Sequence, residues 1–267
     1  MRDYLPIIEK ALDESSAAFL LPDLFQSSMR YSLLSGGKRV RASLCLLCCE
    51  LVGGQVEDAL PFACALEMVH AYSLIHDDLP AMDNDSMRRG KPSSHVAFGE
   101  ANAILAGDGL LTMAMRLLCD VPGKEQAKKA LFQGALDMAA GQSLDINVPA
   151  RDEQTLHQIH DLKTGALFKA ACLSGAYAGG CDERQAQTIS SLADKLGLLF
   201  QMTDDILDKD KDLAEGKLTY VTLLGEEQTH ARIEKLTAQI CALLAPFSGP
   251  AAEDLTAMTQ AIARRKK

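Results

Sequence analysis

The chain has 267 residues, with 36 Asp and Glu against 27 Lys and Arg, and its formal net charge is −9 at pH 7. Such an acidic chain is a poor partner for nucleic acid, whose phosphates attract basic proteins. The length suits one large domain, and the scarcity of β-branched runs and hairpin signals predicts an all-α bundle of roughly ten or more helices. The sequence shows neither a signal-peptide pattern nor an apolar run that looks long enough to cross a bilayer. We therefore expect a cytoplasmic protein.

The first charged motif in chain order is Gly36-Gly37-Lys38-Arg39-Val40-Arg41. Glycines permit close backbone approach, and arginine can donate two parallel hydrogen bonds to phosphate oxygens. Lys38 and Arg41 are three residues apart, so they can converge on one helical face while Arg39 points away. Because basic turns are common on protein surfaces, this motif alone is a weak indication of an anion site.

Eight cysteines occur in the chain, and two of them, Cys45 and Cys49, are one helical turn apart among leucines. This spacing favours buried free thiols over a zinc site.

The first acidic cluster begins with a doubled aspartate, Asp77-Asp78, after the mostly apolar stretch 66–75. Pro80 disfavours helical geometry in the residue before it, so the helix should end near Asp78. A short loop or a restarted helix must then bring Asp83 back toward the cluster.

Basic residues accompany this cluster in the sequence. Arg88 and Arg89 follow it directly, and Lys163-Thr164-Gly165 opens another apolar helix rich in small residues. A solvated salt-bridging loop and an ordinary helix start are the plain alternatives for these two motifs.

The second acidic cluster, Asp204-Asp205-Ile206-Leu207-Asp208, follows the apolar stretch 196–202. Asp204 and Asp208 are four residues apart and share a helix face, whereas Asp205 points elsewhere and could support the other two. Carboxylates this close repel one another, and a hard divalent cation with oxygen ligands removes the repulsion. A single such cluster at a helix end is often solvated or capping, but two facing clusters would hold several cations and, through them, a diphosphate.

Taken together, these motifs resemble the trans-isoprenyl diphosphate synthase family, most closely its bacterial farnesyl diphosphate synthases of the geranyltranstransferase type. The matching stretches are 36–41, 70–83, 88–92, 98–108, 141–145, 163–167 and 200–208. They occur in the order found in the family and span most of the chain, which is far more specific than any one motif.

The resemblance implies a single polyprenyl synthase domain over residues 1–267, built as a helical bundle around a central apolar cavity. It also implies Mg²⁺ as cofactor, three ions per active site, with Mn²⁺ as a possible substitute. The implied metal ligands are Asp77, Asp78, Asp83, Asp204 and Asp208. The implied catalytic residues are Asp77, Asp78, Asp83, Arg88, Lys163 and Asp204.

The substrates implied are isopentenyl diphosphate and an allylic diphosphate. The first would be held by Lys38, Arg41, His70 and Arg89. The second would be held by Arg88, Lys163, Thr164, Gln201 and Lys217. Gln142 and Gln201 resemble polar residues that bracket the allylic site, although buried glutamines are often only structural. A core histidine bonded to a carbonyl is the alternative for His70.

Two residues before the first cluster are expected to set product length. Tyr72 and Ser73 stand five and four residues before Asp77. In the family, an aromatic residue at the first of these positions accompanies a farnesyl product. The expected reaction is therefore head-to-tail condensation of isopentenyl diphosphate with dimethylallyl and geranyl diphosphate. Geranyl or geranylgeranyl diphosphate is the alternative product.

The chain departs from the family pattern after Asp208. Relatives carry a longer loop with two lysines, and here the first lysine is absent or replaced by Lys209 or Lys211, while Lys217 matches the second. The basic tail 264–267 corresponds to a segment that lies near the active-site mouth in the family, although a frayed, solvated end is an equally good interpretation.

Other function classes remain open from sequence alone. A class I terpene cyclase shares the metal-diphosphate chemistry but usually lacks a second Asp-Asp-x-x-Asp motif. A non-catalytic subunit of a heteromeric synthase would lose one or both acidic motifs, and a helical interaction protein would not need the basic residues in family register. We expect a homodimer, with no nucleic-acid partner.

Overall fold

The structure of the protein, a computed structural model, describes residues 2–148 and 152–265. The N-terminal half contains α1 (Leu5–Ala17), α2 (Asp23–Leu33), α3 (Val40–Leu51), α4 (Val56–Asp77), α5 (Ser94–Phe98), α6 (Glu100–Cys119) and α7 (Glu125–Asn147). The C-terminal half contains α8 (Glu153–His160), α9 (Ala166–Ala178), α10 (Glu183–Leu207), α11 (Lys209–Ala214), α12 (Tyr220–Leu224), α13 (Glu226–Leu244) and α14 (Pro250–Ala263). A π-helical turn, Asp161–Gly165, joins α8 to α9. The predicted all-α bundle is confirmed.

A small antiparallel ribbon between α4 and α5 is the exception that the sequence analysis missed. It pairs β1 (Met87–Arg88) with β2 (Lys91–Pro92). Arg89 and Gly90 form its two-residue turn with φ angles of 52° and 74°. Positive φ at both central residues is the geometry of tight hairpin turns. The ribbon matters because it carries Arg88 and Arg89 toward the acidic cluster.

The centre of the bundle is built from α3, α4 and α9, which pack on one another and on α6, α7 and α10. Gly175 on α9 is required here, because a Cβ at this position would lie 2.0 Å from the carbonyl oxygen of Cys45 on α3. Cys45 and Cys49 are fully buried free thiols in this core, as predicted. Helices that are apolar all round are typical of such a buried position.

Two long helices of the site end at the acidic clusters. α4 has 22 residues and ends at Asp77, and α10 has 25 residues and ends at Leu207, with Asp208 as its C-cap. Each begins with a reciprocal capping box, made by Gln55 and Asp58 for α4 and by Asp182 and Gln185 for α10. Capping satisfies backbone N–H groups that have no partner within the helix. The capping boxes therefore stabilise the N-termini of both helices, at the ends remote from the clusters.

Among the described residues, one helix, α6, is long and apolar enough to cross a membrane by length and composition. It packs along α4 and α2. A Cβ on Gly107 would lie 2.1 Å from His76 Nε2, and one on Gly109 would lie 2.5 Å from the Phe25 ring. Core helices pass the same test of length and composition, so this property does not assign α6 to a membrane.

Candidate active site

The first acidic cluster forms where α4 ends. Asp77 is the last helical residue and Asp78 is the C-cap, as Pro80 predicted. The backbone N–H of Asp83 donates to the carbonyl oxygen of Asp77 at 2.9 Å. The predicted return of Asp83 is thus confirmed, and it is made by a short turn rather than by a new helix.

Asp77 is partly buried, and burial together with the neighbouring carboxylates of Asp83 and Asp78 raises its pKa to about 6, against the opposing effect of Lys163 and Arg88. A raised carboxyl pKa means that the ionised form is disfavoured where it stands. An added cation would relieve this, so the local electrostatics suit a divalent metal.

Asp78, which the sequence analysis placed among the metal ligands, is only 2% exposed. Its Oδ1 and Oδ2 accept hydrogen bonds from Arg88 Nε at 3.1 and 3.3 Å, and Arg88 Nη2 also bonds to Oδ1. A forked arginine–carboxylate pair fixes both side chains in orientation. Asp78 therefore holds Arg88 and, through it, the ribbon against the end of α4.

The second acidic cluster occupies the end of α10. Burial raises the pKa of Asp204 to about 6, the charges of Asp208 and Asp205 add to this effect, and Arg265 opposes it. Arg265 bonds to Asp204 Oδ1, donates to the carbonyl oxygen of Phe200 at 3.2 Å and lies 4.1 Å from the Phe200 ring centroid. The basic tail thus reaches the site through Arg265, while Lys266 and Lys267 lie outside the described residues.

The remaining aspartate of this cluster, Asp205, is buried away from the cavity. It accepts from the backbone N–H of Tyr220 at 2.8 Å and from Gln201 Nε2 at 3.0 Å. The predicted difference in direction between Asp205 and its neighbours is what the structure shows.

Within residues 2–148 and 152–265, no group of three or more His, Cys, Asp or Glu side chains is placed to hold a metal ion unaided. Mg²⁺ usually binds one or two carboxylates and completes its shell with water and substrate phosphates. Asp77 and Asp204, with their raised pKa values, match that type of site: they are carboxylates in need of a cation, and a phosphate ligand would have to complete the shell.

A basic cavity of about 490 Å³ lies beside the second cluster. Its cationic lining residues are Arg2, Lys38, Arg39, Arg41, Arg89 and Arg265, and His70 also lines it. Of these, Arg2 is engaged with Glu50 and Asp254, and Arg39 with Glu9 and Glu67. Arg39, predicted to point away from Lys38 and Arg41, lines the same cavity, but it is buried and its charge is paired with these carboxylates.

Arg41 is a buried cation of this cavity with few polar partners. Its Nη1 donates to His70 Nε2 at 3.4 Å and its guanidinium lies 5.0 Å from the Phe168 ring centroid. In the described part of the chain its buried Nε has no hydrogen-bond partner. Burial lowers the pKa of Arg41. A buried guanidinium without a carboxylate partner is expensive, and an anion in the cavity would remove that cost.

His70 stands next to Arg41 in its neutral form. Burial, and then the charges of Arg41 and Arg89, lower its pKa well below the usual value. Because arginine can only donate, His70 Nε2 must be the unprotonated nitrogen. Nδ1–H is then the donor that His70 can offer to an anion.

The glycine pair of the basic motif allows Arg89 to pack over the loop. Gly36 and Gly37 have φ angles of 82° and 131°, and a Cβ on Gly37 would lie 3.1 Å from the Arg89 guanidinium carbon. Arg89 Nη1 bonds to the carbonyl oxygen of Gly36 and donates to Ser35 Oγ at 3.2 Å. The loop and the ribbon thus bring Arg89 to the same cavity as Lys38.

A second, more apolar cavity of about 340 Å³ starts at the first cluster. Asp77 and Lys163 line it together with Tyr72, Ser73 and Gln142, and its other lining residues are His76, Met82, Met138, Ala139, Ser143, Ile146 and Asn147. The two residues expected to set product length therefore share one cavity with two predicted catalytic residues. Within the described residues, the buried Gln142 Oε1 has no hydrogen-bond partner.

Lys163 and Thr164 sit in the π-helical turn rather than at a simple helix start. A Cβ on Gly141 would lie 2.2 Å from the Lys163 backbone nitrogen, so α7 approaches this turn as closely as glycine permits. Lys163 Nζ is 2.6 Å from Asp145 Oδ2, and Thr164 Oγ1 donates to Gln201 Oε1 at 3.2 Å. The sequence analysis assigned no role to Asp145, although it ends one of the family-like stretches.

The lysines after the second cluster have separate positions. Lys209 pairs with Glu226 at 2.9 Å and Lys211 with Glu215 at 3.8 Å, so each has an acidic partner outside the clusters. Lys217 is exposed, and its charge acts on Asp205 and on His160 near the π turn. Of these three lysines, Lys217 is therefore the one whose charge influences residues beside the second cluster and the π turn.

Comparison with known proteins places this geometry in one family. The sequence profile described as "Polyprenyl synthetase" matches residues 22–242. The chain belongs to the polyprenyl synthetase family. It is 41% identical to geranylgeranyl pyrophosphate synthase 4 of Arabidopsis thaliana, over 97% of this chain and 75% of that protein. It is 44% identical to the geranylgeranyl diphosphate synthase of Cyanophora paradoxa, over 82% and 80% of the two chains.

Solved structures agree with the sequence relatives. A geranyltransferase from Legionella pneumophila superposes with a TM-score of 0.90 at 35% identity, covering 98% of this chain and 94% of that one. An FPP/GFPP synthase from Zymomonas mobilis superposes with a TM-score of 0.84 at 33% identity, covering 97% and 98%. The polyprenyl synthetase fold and a prenyltransferase activity follow for this chain. The comparisons do not establish the farnesyl product expected from the sequence, since the sequence relatives are named for geranylgeranyl products.

Proposed function

We propose that this polyprenyl synthetase condenses isopentenyl diphosphate head-to-tail with allylic diphosphates and that its final product is geranylgeranyl diphosphate. The observation that carries the reaction is the pair of cavities, one lined by the uncompensated Arg41 and the other apolar and headed by Asp77 and Lys163. The basic cavity suits a diphosphate, and the apolar cavity suits a prenyl chain. The names of the relatives favour the geranylgeranyl product.

Farnesyl diphosphate is the second candidate product, and a specific observation favours it. Tyr72 lines the apolar cavity and is only 9% exposed, so an aromatic ring stands beside the space for the growing chain. Ser73 on the same wall is small, which leaves room that a bulkier residue would fill. The Zymomonas mobilis structure, which is similar in fold, is named for products of both farnesyl and longer type.

Mg²⁺ is the proposed cofactor, with three ions per site and Mn²⁺ as a possible substitute. Asp77, Asp83 and Asp204 would hold the ions directly, and Asp208 would assist. When bound, Mg²⁺ would neutralise the charge that grows on a departing diphosphate. Asp78 is a weaker candidate ligand than the sequence suggested, because both of its oxygens accept from Arg88.

The residues of the allylic site would act on the leaving group. Lys163 and Arg88 would place positive charge beside the allylic diphosphate while its C–O bond breaks, which leaves an allylic carbocation and free diphosphate. Met138 and Ala139 line the apolar cavity and would keep water from the cation. Thr164 and Gln201 would keep the π turn, and with it Lys163, in place.

The residues of the basic cavity would orient the second substrate. Lys38, Arg41, His70 and Arg89 would hold the diphosphate of isopentenyl diphosphate so that its double bond faces the carbocation. The alkene electrons form the new C–C bond, and the proton lost from the adjacent carbon passes to the released diphosphate. The chain has then grown by five carbons and keeps the diphosphate that came with isopentenyl diphosphate.

Product analysis tests this function. Purified enzyme with Mg²⁺, labelled isopentenyl diphosphate and each of dimethylallyl, geranyl and farnesyl diphosphate should incorporate label into prenyl diphosphates. Chromatography after dephosphorylation should give geranylgeraniol as the end product. Farnesol from the first two substrates and no reaction with farnesyl diphosphate would establish the second candidate instead.

The same assay separates the other function classes. A terpene cyclase would consume an allylic diphosphate without isopentenyl diphosphate and release a hydrocarbon or alcohol. A non-catalytic subunit would incorporate no label when assayed alone. Either result would contradict the proposed reaction.

A homodimer is the proposed assembly. Large apolar side chains stay exposed on the outer faces of α6 and α7, including Ile104, Leu105 and Leu136, which are 45%, 53% and 63% exposed. Contiguous exposed apolar surface often marks a protein interface. Sedimentation equilibrium of the purified chain should give twice the monomer mass of 28.8 kDa. The cytoplasmic location stays a prediction, since the relatives include chloroplastic and mitochondrial enzymes.

A further inference from the structure

Asp205 connects the end of α10 to the start of α12. Its Oδ2 accepts the backbone N–H of Tyr220 at 2.8 Å, and its Oδ1 accepts from Gln201 Nε2 at 3.0 Å. Tyr220 is the first residue of α12, where backbone N–H groups have no partner inside their own helix. The Asp205 side chain is 3% exposed, and both of its oxygens are already used.

Lys217 belongs to the segment that Asp205 holds. Thr222 Oγ1 accepts the Thr219 N–H at 2.7 Å and is within 3.4 Å of the Lys217 carbonyl oxygen, and Thr219 Oγ1 accepts the Thr222 N–H at 3.3 Å. These bonds join residues 217–222 into one hydrogen-bonded unit. The bond from Tyr220 to Asp205 fixes that unit to the helix of the second acidic cluster.

Asp205 is also linked to Lys163 through Gln201. The amide of Gln201 donates to Asp205 through Nε2, and its Oε1 accepts from Thr164 Oγ1 at 3.2 Å. Thr164 is the neighbour of Lys163 in the π turn. One partly buried series of hydrogen bonds thus runs from the π turn through α10 to α12.

Tyr220 makes a second connection between α12 and the same turn. Its hydroxyl lies 3.1 Å from His157 Nδ1, and its ring centroid lies 5.6 Å from that of His160. Both histidines are on α8, which leads directly into the π turn. Loss of the Asp205 bond to Tyr220 would therefore loosen two lysine-bearing segments at once.

We propose that Asp205 is a positioning residue that holds Lys217 and Lys163 toward the allylic diphosphate, and that it is not a metal ligand. This inference rests on the proposed function of the site. The two aspartates of the first cluster also differ in environment: Asp78 is buried against Arg88, while Asp77 lines the cavity. In each doubled aspartate, the first residue is placed for cations and the second anchors a cationic segment.

An asparagine at position 205 distinguishes these roles. Its Oδ1 can accept the Tyr220 N–H, and its Nδ2 can donate to Gln201 once the Gln201 amide turns over. The turned Gln201 Nε2 can then donate to the Thr164 hydroxyl, which is also an acceptor. Asn therefore preserves every hydrogen bond of this series, whereas it removes the charge that a metal ligand supplies.

The test uses full-length Asp205→Asn and Asp205→Ala, with Asp204→Asn as the matched variant at the neighbouring position. We expect Asp205→Ala to lose about 10–100-fold in kcat, the usual range for residues that orient a catalytic group. Asp205→Asn should recover most of that loss. Both should keep the Mg²⁺ concentration for half-maximal activity, which Asp204→Asn should raise.

A binding measurement supplements the kinetics. Mg²⁺ with inorganic diphosphate should raise the Tm of the wild type, because ligands that bind only the folded state stabilise it. Asp205→Asn should keep this rise and Asp204→Asn should lose most of it. If Asp205→Asn loses the rise, or needs as much Mg²⁺ as Asp204→Asn, then Asp205 is a ligand and the proposal is overturned. This comparison decides the matter even if Asp205→Ala does not fold.

Coupling to Lys217 tests the positioning role directly. If Asp205 acts through Lys217, the Asp205→Ala substitution should cost much less kcat in a Lys217→Ala background than in the wild type. Full additivity would overturn this route of action. Failure of the wild type to condense the two substrates would refute the proposed function itself, a result distinct from any difference among the variants.

Discussion

The basic cavity and the apolar cavity both lie against one helix, α4, and differ in chemistry. His70 on α4 lines the first, and Tyr72 and Ser73, two and three residues later, line the second. Successive helical positions differ by about 100° in direction, so Tyr72 points away from His70, whereas Ser73 lies closer to the His70 side. One helix can therefore separate a diphosphate from a hydrocarbon chain and still keep both near Asp77.

The electrostatic states of the two regions also differ in sign. In the basic cavity the Nε of the buried Arg41 has no hydrogen-bond partner among the described residues, whereas at the mouth of the apolar cavity burial and like charges raise the pKa of Asp77. Each region holds an ionisable group whose charged form is disfavoured, mainly by burial. An anion would stabilise the charge of Arg41 in the basic cavity, and a cation would stabilise the ionised form of Asp77. A metal-bound diphosphate supplies both.

The largest effect is expected when a carboxylate is removed from the mouth of the apolar cavity, because this tests the proposed cation site directly. Asp77→Ala should lower kcat by about three orders of magnitude or more, each order corresponding to ~1.4 kcal/mol of transition-state stabilisation. Thermal unfolding should show no loss of stability, because the ionised form of Asp77 is disfavoured in the fold. Glu234→Ala, on the exposed face of α13, is the acidic control. Near-normal turnover of Asp77→Ala at saturating Mg²⁺ would make this cluster structural.

The two cavities should separate kinetically by substrate. Arg41→Ala should raise KM for isopentenyl diphosphate about 10–100-fold, the loss expected for one or two hydrogen bonds to a charged group. Lys163→Ala should act on the allylic substrate and on kcat. Steady-state kinetics with each substrate varied in turn would measure both effects, with Arg184→Ala, at an exposed position of α10, as a control. Equal effects of the two variants on both substrates would refute the division.

A smaller change should sharpen the definition of the apolar cavity. Tyr72→Ala removes a ring from its wall and should shift products toward longer chains, whereas Ser73→Phe fills space and should shift them toward shorter ones. Tyr72→Phe keeps the ring and serves as the matched control, with an unchanged product range. Chromatography of dephosphorylated products gives the distribution. If it stays the same in both test variants, the limit to chain length lies elsewhere in the cavity.

The smallest expected effect concerns stability and pH. Burial, and then the charge of Lys217, lowers the pKa of His160 to about 4, below the unfolded value of about 6.5. The unfolded chain therefore binds a proton first as the pH falls below 6.5, and stability decreases by about 2 kcal/mol between pH 7 and pH 5. In urea unfolding series at different pH, His160→Gln should reduce this loss of stability. His230→Gln, at an exposed position of α13, should not. A curve unchanged by His160→Gln would contradict the burial argument.

Local rules in the sequence were sufficient for much of the site. The spacing of Asp204 and Asp208 and the helix end imposed by Pro80 appear in the structure as predicted. Each depends on side chains within one or two turns of the same segment, where helix geometry fixes direction. Two predictions at this level were incomplete, since the ribbon at Arg89-Gly90 and the π turn at Lys163 went unforeseen.

Contacts between distant segments could not be obtained in the same way. Periodicity places Asp78, Asp145 and Asp205 on helix faces, but it does not say that Arg88, Lys163 and the Tyr220 backbone will meet them. Those partners arrive because α4, α7 and α10 pack around one core and leave their polar ends at the same site. A buried carboxylate must find a donor to remain buried. Packing determines that donor, and so it decides which segments Asp78 and Asp205 contact.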